Sequence, residues 1–286
     1  MTTLSLPAPA KLNRLLRITG RRPDGYHELQ TLFQLLEYGD TLHVTARAGD
    51  AGIRLTPGLA GVAEEDNLIV RAARLLQRET GCRDGAHIAV DKRLPMGGGL
   101  GGGSSNAATT LLALDRLWRL DLGLDRLAAL GLELGADVPV FVRGATAWAE
   151  GVGERLVPVE LAPDWFVVVH PGVEISTAAV FGHPGLTRDS TAISMRRALD
   201  GATPDAVWRN DCESIVRALY PEVDHALTWL SRYGPAMLTG TGACVFCPFD
   251  DEALAERVLG DVPDGWRVFK ARGSNRSPLH RALGIV

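Results

Sequence analysis

The sequence predicts an α+β fold in two domains. Three observations carry that reading. Apolar and polar residues alternate over residues 4–18, and strand-like stretches continue to residue 56, as expected of antiparallel strands. A run of six glycines then feeds a long apolar helix. A second strand-and-helix unit follows Pro158 and Pro163, which mark the boundary between a first domain, residues 1–158, and a second, 159–286. A length of 286 residues suits about two domains, each with a core of its own.

Composition narrows the function classes. Hydrophobic residues make up 46% of the chain and charged residues 22%, an ordinary globular balance. A net charge of −4 gives no electrostatic reason to expect nucleic acid as a partner. No apolar run nears the roughly 18 residues of a membrane span, and residues 1–6 lack a secretory pattern, so no membrane association is expected and the location is read as cytoplasmic. Four cysteines do not make a disulfide framework at this length. Cys244 and Cys247 lie three apart in an apolar strand-like run, which sends them to opposite faces and reads as buried thiols. The seven histidines show no ligand spacing, so no protein-bound zinc is expected.

Taken in order, residues 4–18 read as an edge-like strand broken by a bend at Pro7 and Pro9. Lys11 follows, flanked by Ala10 and Leu12; by itself it reads as a lysine snorkelling from a strand edge. Residues 21–25 (Arg-Arg-Pro-Asp-Gly) form a turn, and Tyr26 and His27 after it suit packing at the head of a strand that runs to Tyr38. Residues 41–56 are further strand. Asp66 or Asn67 caps a helix to about Thr80, and 86–90 is a strand.

Then come Pro95, Met96, Gly97, Gly98, Gly99, Leu100, Gly101, Gly102 and Gly103, followed by Ser104, Ser105 and Asn106, three capping residue types, at the head of a helix over 107–117. A glycine loop entering a helix N-terminus leaves free N–H groups and a positive dipole end on one space, which is an anion site. It is not a Walker loop, since Ser104 stands where lysine is needed. A dinucleotide fingerprint wants an acid about twenty residues on, closing a second strand, where this chain is still helix or turn.

Asp125 caps a helix ending at Gly135 in a left-handed terminator. Asp137 suits an N-cap before Pro139. Residues 146–149 are strand, 150–154 a turn and 165–169 a buried strand. Ser176 or Thr177 starts a helix that carries Thr177 and Phe181 on one face. Helices over 211–219 and 222–233, a tight turn between strand segments at 238–244, a helix over 250–259 and a strand over 266–271 complete the chain.

The stretch from Pro95 to Ala108 resembles the phosphate loop of the galactokinase, homoserine kinase, mevalonate kinase and phosphomevalonate kinase superfamily. Its form is closest to the 4-diphosphocytidyl-2-C-methyl-D-erythritol kinase family. Residues 9–13 (Pro-Ala-Lys-Leu-Asn), 24–27 (Asp-Gly-Tyr-His), 135–139 (Gly-Ala-Asp-Val-Pro) and 238–244 are similar to that family's other segments, in order, over nearly the whole chain.

The resemblance implies a nucleotide-binding first domain, a ferredoxin-like second domain and an active site in the cleft between them. It implies transfer of phosphate from ATP, with Mg²⁺, to the 2-hydroxyl of a small cytidine diphosphate conjugate of methylerythritol in isoprenoid synthesis. Lys11 and Asp137 would be catalytic, the aspartate as base and the lysine as stabiliser of developing charge. The loop from Pro95 to Asn106 would hold ATP phosphates, with Ser105 as a candidate Mg²⁺ ligand, and Asn67, Ile69, Lys92 and Met96 would line the adenine pocket. Asn13, Tyr26, His27, Thr177, Phe181, Gly240 and Thr241 would face the substrate, the tyrosine and phenylalanine covering the two faces of the cytosine and the histidine hydrogen-bonding it. Such an aromatic set argues against mevalonate or a sugar as acceptor, and the presence of both Lys11 and Asp137 argues against a non-catalytic nucleotide sensor.

Overall fold

In the computed structural model, which describes residues 2–58, 61–200 and 208–285, the long strand β2 (His27–Arg47) is the spine. Strand β1 (Thr3–Arg21) runs antiparallel along one edge of it, from Thr3 opposite Thr45 to Arg21 opposite His27. The other edge takes three antiparallel partners in turn. These are β5 (Ala147–Gly151) at residues 29–33, β10 (Arg267–Ser274) at Leu35 and Leu36, and β4 (Gly85–Asp91) at 41–47. Strand β3 (Ile53–Leu55) extends β4 in parallel, and β6 (Arg155–Pro158) extends β5.

Two sequence expectations change here. The stretches ending at Tyr38 and starting at residue 41 are one strand, because Gly39 lets the ladder pass without interruption: a Cβ there would overlap the Ala8 carbonyl. The bend in β1 is not a break. Pro7 and Pro9 stay in register opposite Thr41 and Gly39, and the irregularity is absorbed by register shifts between Pro9 and Lys11, between Asn13 and Leu16, and between Ile18 and Gly20. Bulges of this kind re-aim side chains, and two of them bracket Lys11 and Asn13.

The later strands β7 (Trp165–His170), β8 (Met237–Leu238), β9 (Val245–Phe249) and β10 lie in the spatial order β10-β7-β9-β8, all antiparallel. Numbered within this half, that order is 4-1-3-2 with helices after the first and third strands, the ferredoxin-like arrangement. Because β10 also pairs with β2, the two halves share one sheet, ten-stranded among the described residues.

Helix α1 (Leu68–Thr80) starts at Asn67, whose side chain accepts from Ile69 N, and buries the stripe Ile69, Val70, Ala72, Ala73, Leu75 and Leu76. Helix α2 (Gly102–Trp118) is buried almost all round between Ser105 and Leu114, which explains its run of small residues, Ala-Ala-Thr-Thr. It begins earlier than the capping residues suggested. Gly101, left-handed at φ 70°, is the cap, and Ser104, Ser105 and Asn106 already belong to the first turns. Helix α3 (Gly123–Leu134) likewise starts ahead of Asp125, which lies in its first turn and pairs with Arg143. Gly135, at φ 170°, is extended and not left-handed. Helix α4 (Val138–Arg143) follows, then α5 (Thr177–Gly182), capped by Ser176, and α6 (Met195–Leu199). Helices α7 (Glu213–Leu219), α8 (Pro221–Leu230), α9 (Glu252–Leu259) and α10 (Pro278–Leu283) complete the described set.

Apolar packing does not simply divide at residue 158. Leu16 and Ile18 of β1 join Val167, Val169 and Val245 in the later core, while Leu279 and Leu283 of α10 join α1 and α2 in the earlier one. A third cluster, with Leu94, Leu100, Phe166, Cys244 and Phe246, lies where the halves meet. Cys244 is in that cluster and Cys247 in the later core, so the two thiols do face opposite sides of β9. Burial pushes the Cys247 thiol up to about 12 and that of Cys244 higher still, which keeps both inert. Among the described residues no helix is long and apolar enough to cross a membrane.

Acid should loosen this packing in a defined window. His280 is buried and donates from Nε2 to the Val142 carbonyl at 2.8 Å; burial lowers its pKa, outweighing the hydrogen bond. The pKa of His170 is lowered too, by burial and by Arg267. Both rings bind protons more readily in the unfolded chain, so stability rises with pH through the range just below the ordinary value of about 6.5. Thermal unfolding is expected to show a steady Tm above about pH 7 and a fall from about pH 6.5 downward, with a shallower fall in His280→Gln.

Candidate active site

The glycine loop is held by its carbonyls. Gly97 O accepts from Ala243 N at 2.9 Å and Gly98 O from Cys244 N at 3.1 Å. Gly99 O accepts from Lys11 Nζ at 3.0 Å and from Thr239 Oγ1 at 3.3 Å. Leu100 O accepts from Lys11 N at 3.0 Å, and Gly101 O from Ser105 N at 2.8 Å. Among the described residues none of the N–H groups of 97–103 is donated to a protein acceptor, so the loop offers donors to the cleft beside the start of α2. The side chain of Leu100 anchors the loop in the third apolar cluster. Glycine is required at two places by approach as well as by φ. At Gly99 (φ 72°) a Cβ would overlap the Thr239 carbonyl, and at Gly101 (φ 70°) it would press on Phe141 and the Lys11 side chain.

Lys11 emerges between the two bulges of β1 and is 3% exposed. Its ammonium donates to Asn13 Oδ1 at 2.6 Å and pairs with the Asp137 carboxylate at 3.2 Å. Asn13 in turn donates from Nδ2 to Thr31 Oγ1 at 2.8 Å, and its N–H bonds Thr239 Oγ1 at 3.0 Å. Asp137 occupies the N-cap position of α4 but makes no capping bond; its side chain, 32% exposed, faces Lys11 and the cleft. A buried ammonium with a carbonyl, an amide and a carboxylate around it is a satisfied and oriented cation, and the aspartate beside it keeps open lone pairs.

One cleft of about 1000 Å³ gathers nearly every residue singled out in the sequence. Lys11, Asn13, Tyr26, His27, Asn67, Ile69, Lys92 and Asp137 line it, as do Pro95 to Ser104, Asn106, Thr177, Phe181, Gly240 and Thr241. Ser105 is the exception. It is fully buried with Oγ unpaired, because the early start of α2 turns it inward and leaves Ser104 toward the cleft. Asn67 and Ile69 serve the frame as well: Asn67 Oδ1 caps α1 through Ile69 N at 2.9 Å. At the far end Tyr26 is 62% exposed, while His27 stacks on Phe181 with centroids 5.0 Å apart. Thr177 Oγ1 and Thr241 Oγ1 are 2.9 Å apart and tie α5 to the second glycine turn.

Comparison with known proteins fits this geometry. The GHMP kinases N terminal domain model matches residues 67–145 and the GHMP kinases C terminal model residues 196–268. The 4-diphosphocytidyl-2-C-methyl-D-erythritol kinase of Chromohalobacter salexigens is 68% identical over 286 residues, covering 100% of this chain and 96% of the relative. The chain belongs to the 4-diphosphocytidyl-2-C-methyl-D-erythritol kinase family. The family member from Marinobacter nauticus is 56% identical, with 99% and 98% coverage. A crystal structure of a 4-(cytidine 5'-diphospho)-2C-methyl-D-erythritol kinase superposes with a TM-score of 0.80 at 32% identity, over 95% of this chain and 99% of that one. The homoserine kinase of Cytophaga hutchinsonii shares the fold, with a TM-score of 0.71 at 16% identity over 96% of each chain.

Several residues of this family member's site escaped sequence reasoning. Asp40, fully buried, accepts from Lys92 Nζ at 2.7 Å and from the N–H groups of Arg93 and Leu94 at 2.8 Å each, aiming the lysine at the cleft. Thr239 and Thr31 brace Asn13. Arg188 donates to His27 Nε2 at 3.1 Å across 161 residues of sequence. None carries a local motif; only Thr239, inside the second glycine turn, had a signal to find.

The packing of the two glycine turns predicts contrasting effects of one added methyl. Gly99→Ala is expected to cost about 2 kcal/mol or more of stability, since the clash is with backbone. Gly103→Ala, whose Cβ would meet only Leu68 Cδ1 at 3.4 Å, should be neutral or stabilising by up to about 1 kcal/mol through helix propensity. Denaturant unfolding of the two variants measures both.

Proposed function

We propose that this kinase transfers the γ-phosphate of ATP to the 2-hydroxyl of 4-diphosphocytidyl-2-C-methyl-D-erythritol in the non-mevalonate route to isoprenoids, releasing ADP and the 2-phosphate. Family membership supports the reaction class and ATP. The observation that carries the residue assignments is the Lys11–Asp137 pair, 3.2 Å apart, set against the carbonyl of Gly99 at the floor of an anion-binding loop.

In this reading the free N–H groups of residues 97–103 and the N-terminus of α2 hold the phosphates. Asp137 takes the proton of the substrate hydroxyl as its oxygen bonds the γ-phosphorus and the bond to the bridging oxygen breaks, leaving ADP. Lys11, already fixed by Asn13 and Gly99, meets the charge that develops on the transferred group without reorganising. Lys92, aimed by Asp40, adds a second cation on the nucleotide side of the cleft. Tyr26 and Phe181 enclose the base, and its polar edge meets His27. Asn13, Thr177, Gly240 and Thr241 line the cleft between base and reacting hydroxyl.

Among the described residues no three His, Cys, Asp or Glu side chains stand close enough to form a metal cage. Mg²⁺ would be carried mainly by phosphate oxygens and water, with Asp137 and Ser104 among the side-chain oxygens that line the cleft; the ion would neutralise phosphate charge. A small-molecule acceptor and a cytoplasmic location go with the same reading.

The test is ATP consumption with CDP-methylerythritol, mevalonate and galactose in parallel. Turnover is expected with the cytidine substrate alone. Asp137→Asn should lower kcat by about 10²–10⁴, and Lys11→Met by at least about 10², with ATP affinity in Asp137→Asn nearly unchanged. Turnover of mevalonate instead, or full activity of Asp137→Asn, would overturn the assignment.

A further inference from the structure

The head of β2 and the end of α5 are joined by one side chain whose chemistry fixes the state of another. Arg188 donates from Nε to His27 Nε2 at 3.1 Å. Three more of its donors satisfy carbonyls: Nη2 reaches Phe181 O at 2.7 Å and His183 O at 2.9 Å, and Nη1 reaches Leu186 O at 3.1 Å. A guanidinium has five N–H donors and no acceptor. The nitrogen of His27 that it touches must therefore carry a lone pair. In a neutral imidazole the proton then sits on Nδ1, the ring nitrogen left for a ligand.

We propose that Arg188 is a positioning residue that locks His27 as its Nδ1–H tautomer and thereby makes the base site select cytosine over uracil. This rests on the cytidine reading of the cleft given above. Cytosine presents two adjacent acceptors, N3 and O2, to a donor on its pairing edge. Uracil carries a proton at N3, so a fixed N–H donor there meets another donor. The same guanidinium holds the Phe181 carbonyl, so the histidine and the ring it stacks on, 5.0 Å away, move as one unit. Burial, Arg188 and Arg21 all lower the pKa of His27, which keeps the ring neutral and gives the tautomer its meaning.

The decisive measurement is the tautomer itself, read in the full chain without ligand by two-bond ¹H–¹⁵N correlation of His27. Wild type and Arg188→Lys, which keeps a pure donor, are expected to show the Nδ1–H form. Arg188→Met should shift the ring toward Nε2–H. With it KM for the cytidine substrate should rise about tenfold, the worth of one hydrogen bond. The kcat should change less than KM, and the preference over the uridine analogue should fall by a similar factor. An Nε2–H ring in the wild type, or an unchanged base preference in an Arg188→Met variant whose tautomer has shifted, would overturn the proposal. If wild type phosphorylates no cytidine conjugate, the functional reading fails, and the tautomer still decides whether Arg188 sets the ring.

Discussion

Five consecutive carbonyl oxygens, from Gly97 to Gly101, are taken up by donors from β1, from the second glycine turn and from the first turn of α2, and the rest of the site follows from this one-sided consumption. A peptide chain has a donor for every acceptor except at proline. When one side of a loop is fully bonded to protein, the other side is left with unmatched N–H groups. The same contacts position the cation: the ammonium of Lys11 is one of the donors that fix the loop, so the lysine and the phosphate cradle cannot drift apart. Glycine is needed here less for flexibility than for closeness, since two backbones lie in direct contact at Gly99 and Thr239.

The long pair β1 and β2 explains how residues so far apart in sequence meet. One end of β2 serves β4 and the α1–α2 layer, while its head at His27 reaches the α5 region, and β10 enters midway. The bulges of β1 occur where the strand passes the loop, so that Lys11 and Asn13 can point at the cleft while Leu12 stays in the apolar cluster between the halves. Lys11 is thus neither snorkelling nor buried unpaired.

Much of this was legible in the sequence, for an identifiable reason. The glycine loop, the Lys11 and Asp137 segments and the second glycine turn are contiguous, and contiguous chemistry is what a sequence displays. The start of α1 at Asn67 follows from cap chemistry, and the opposed cysteines from strand periodicity. What the sequence does not display depends on partners far along the chain, from 52 positions for Asp40 and Lys92 to 161 for Arg188 and His27, or on geometry within a turn. Arg188 sits in an unremarkable loop, and Asp40 looks like a strand-end polar residue. The start of α2 was misplaced because Ser104 to Asn106 have the side chains of caps, but the left-handed Gly101 took that place and turned Ser105 into the core. Gly135 has the residue type of a left-handed stop, and the chain instead leaves α3 extended.

The return of α10 to the first core bears on how the protein is made. Leu279 and Leu283 pack among residues of α1 and α2, and Leu16 and Ile18 among strands that come much later. A growing chain ordinarily folds its leading unit while the rest is still on the ribosome. Here the first core draws most of its members from before residue 150 and gains Leu279 and Leu283 only with the last helix, while Leu16 and Ile18 of β1 are covered only by strands from residue 165 onward. The two-part architecture is therefore not a division into two cores completed one after the other along the chain.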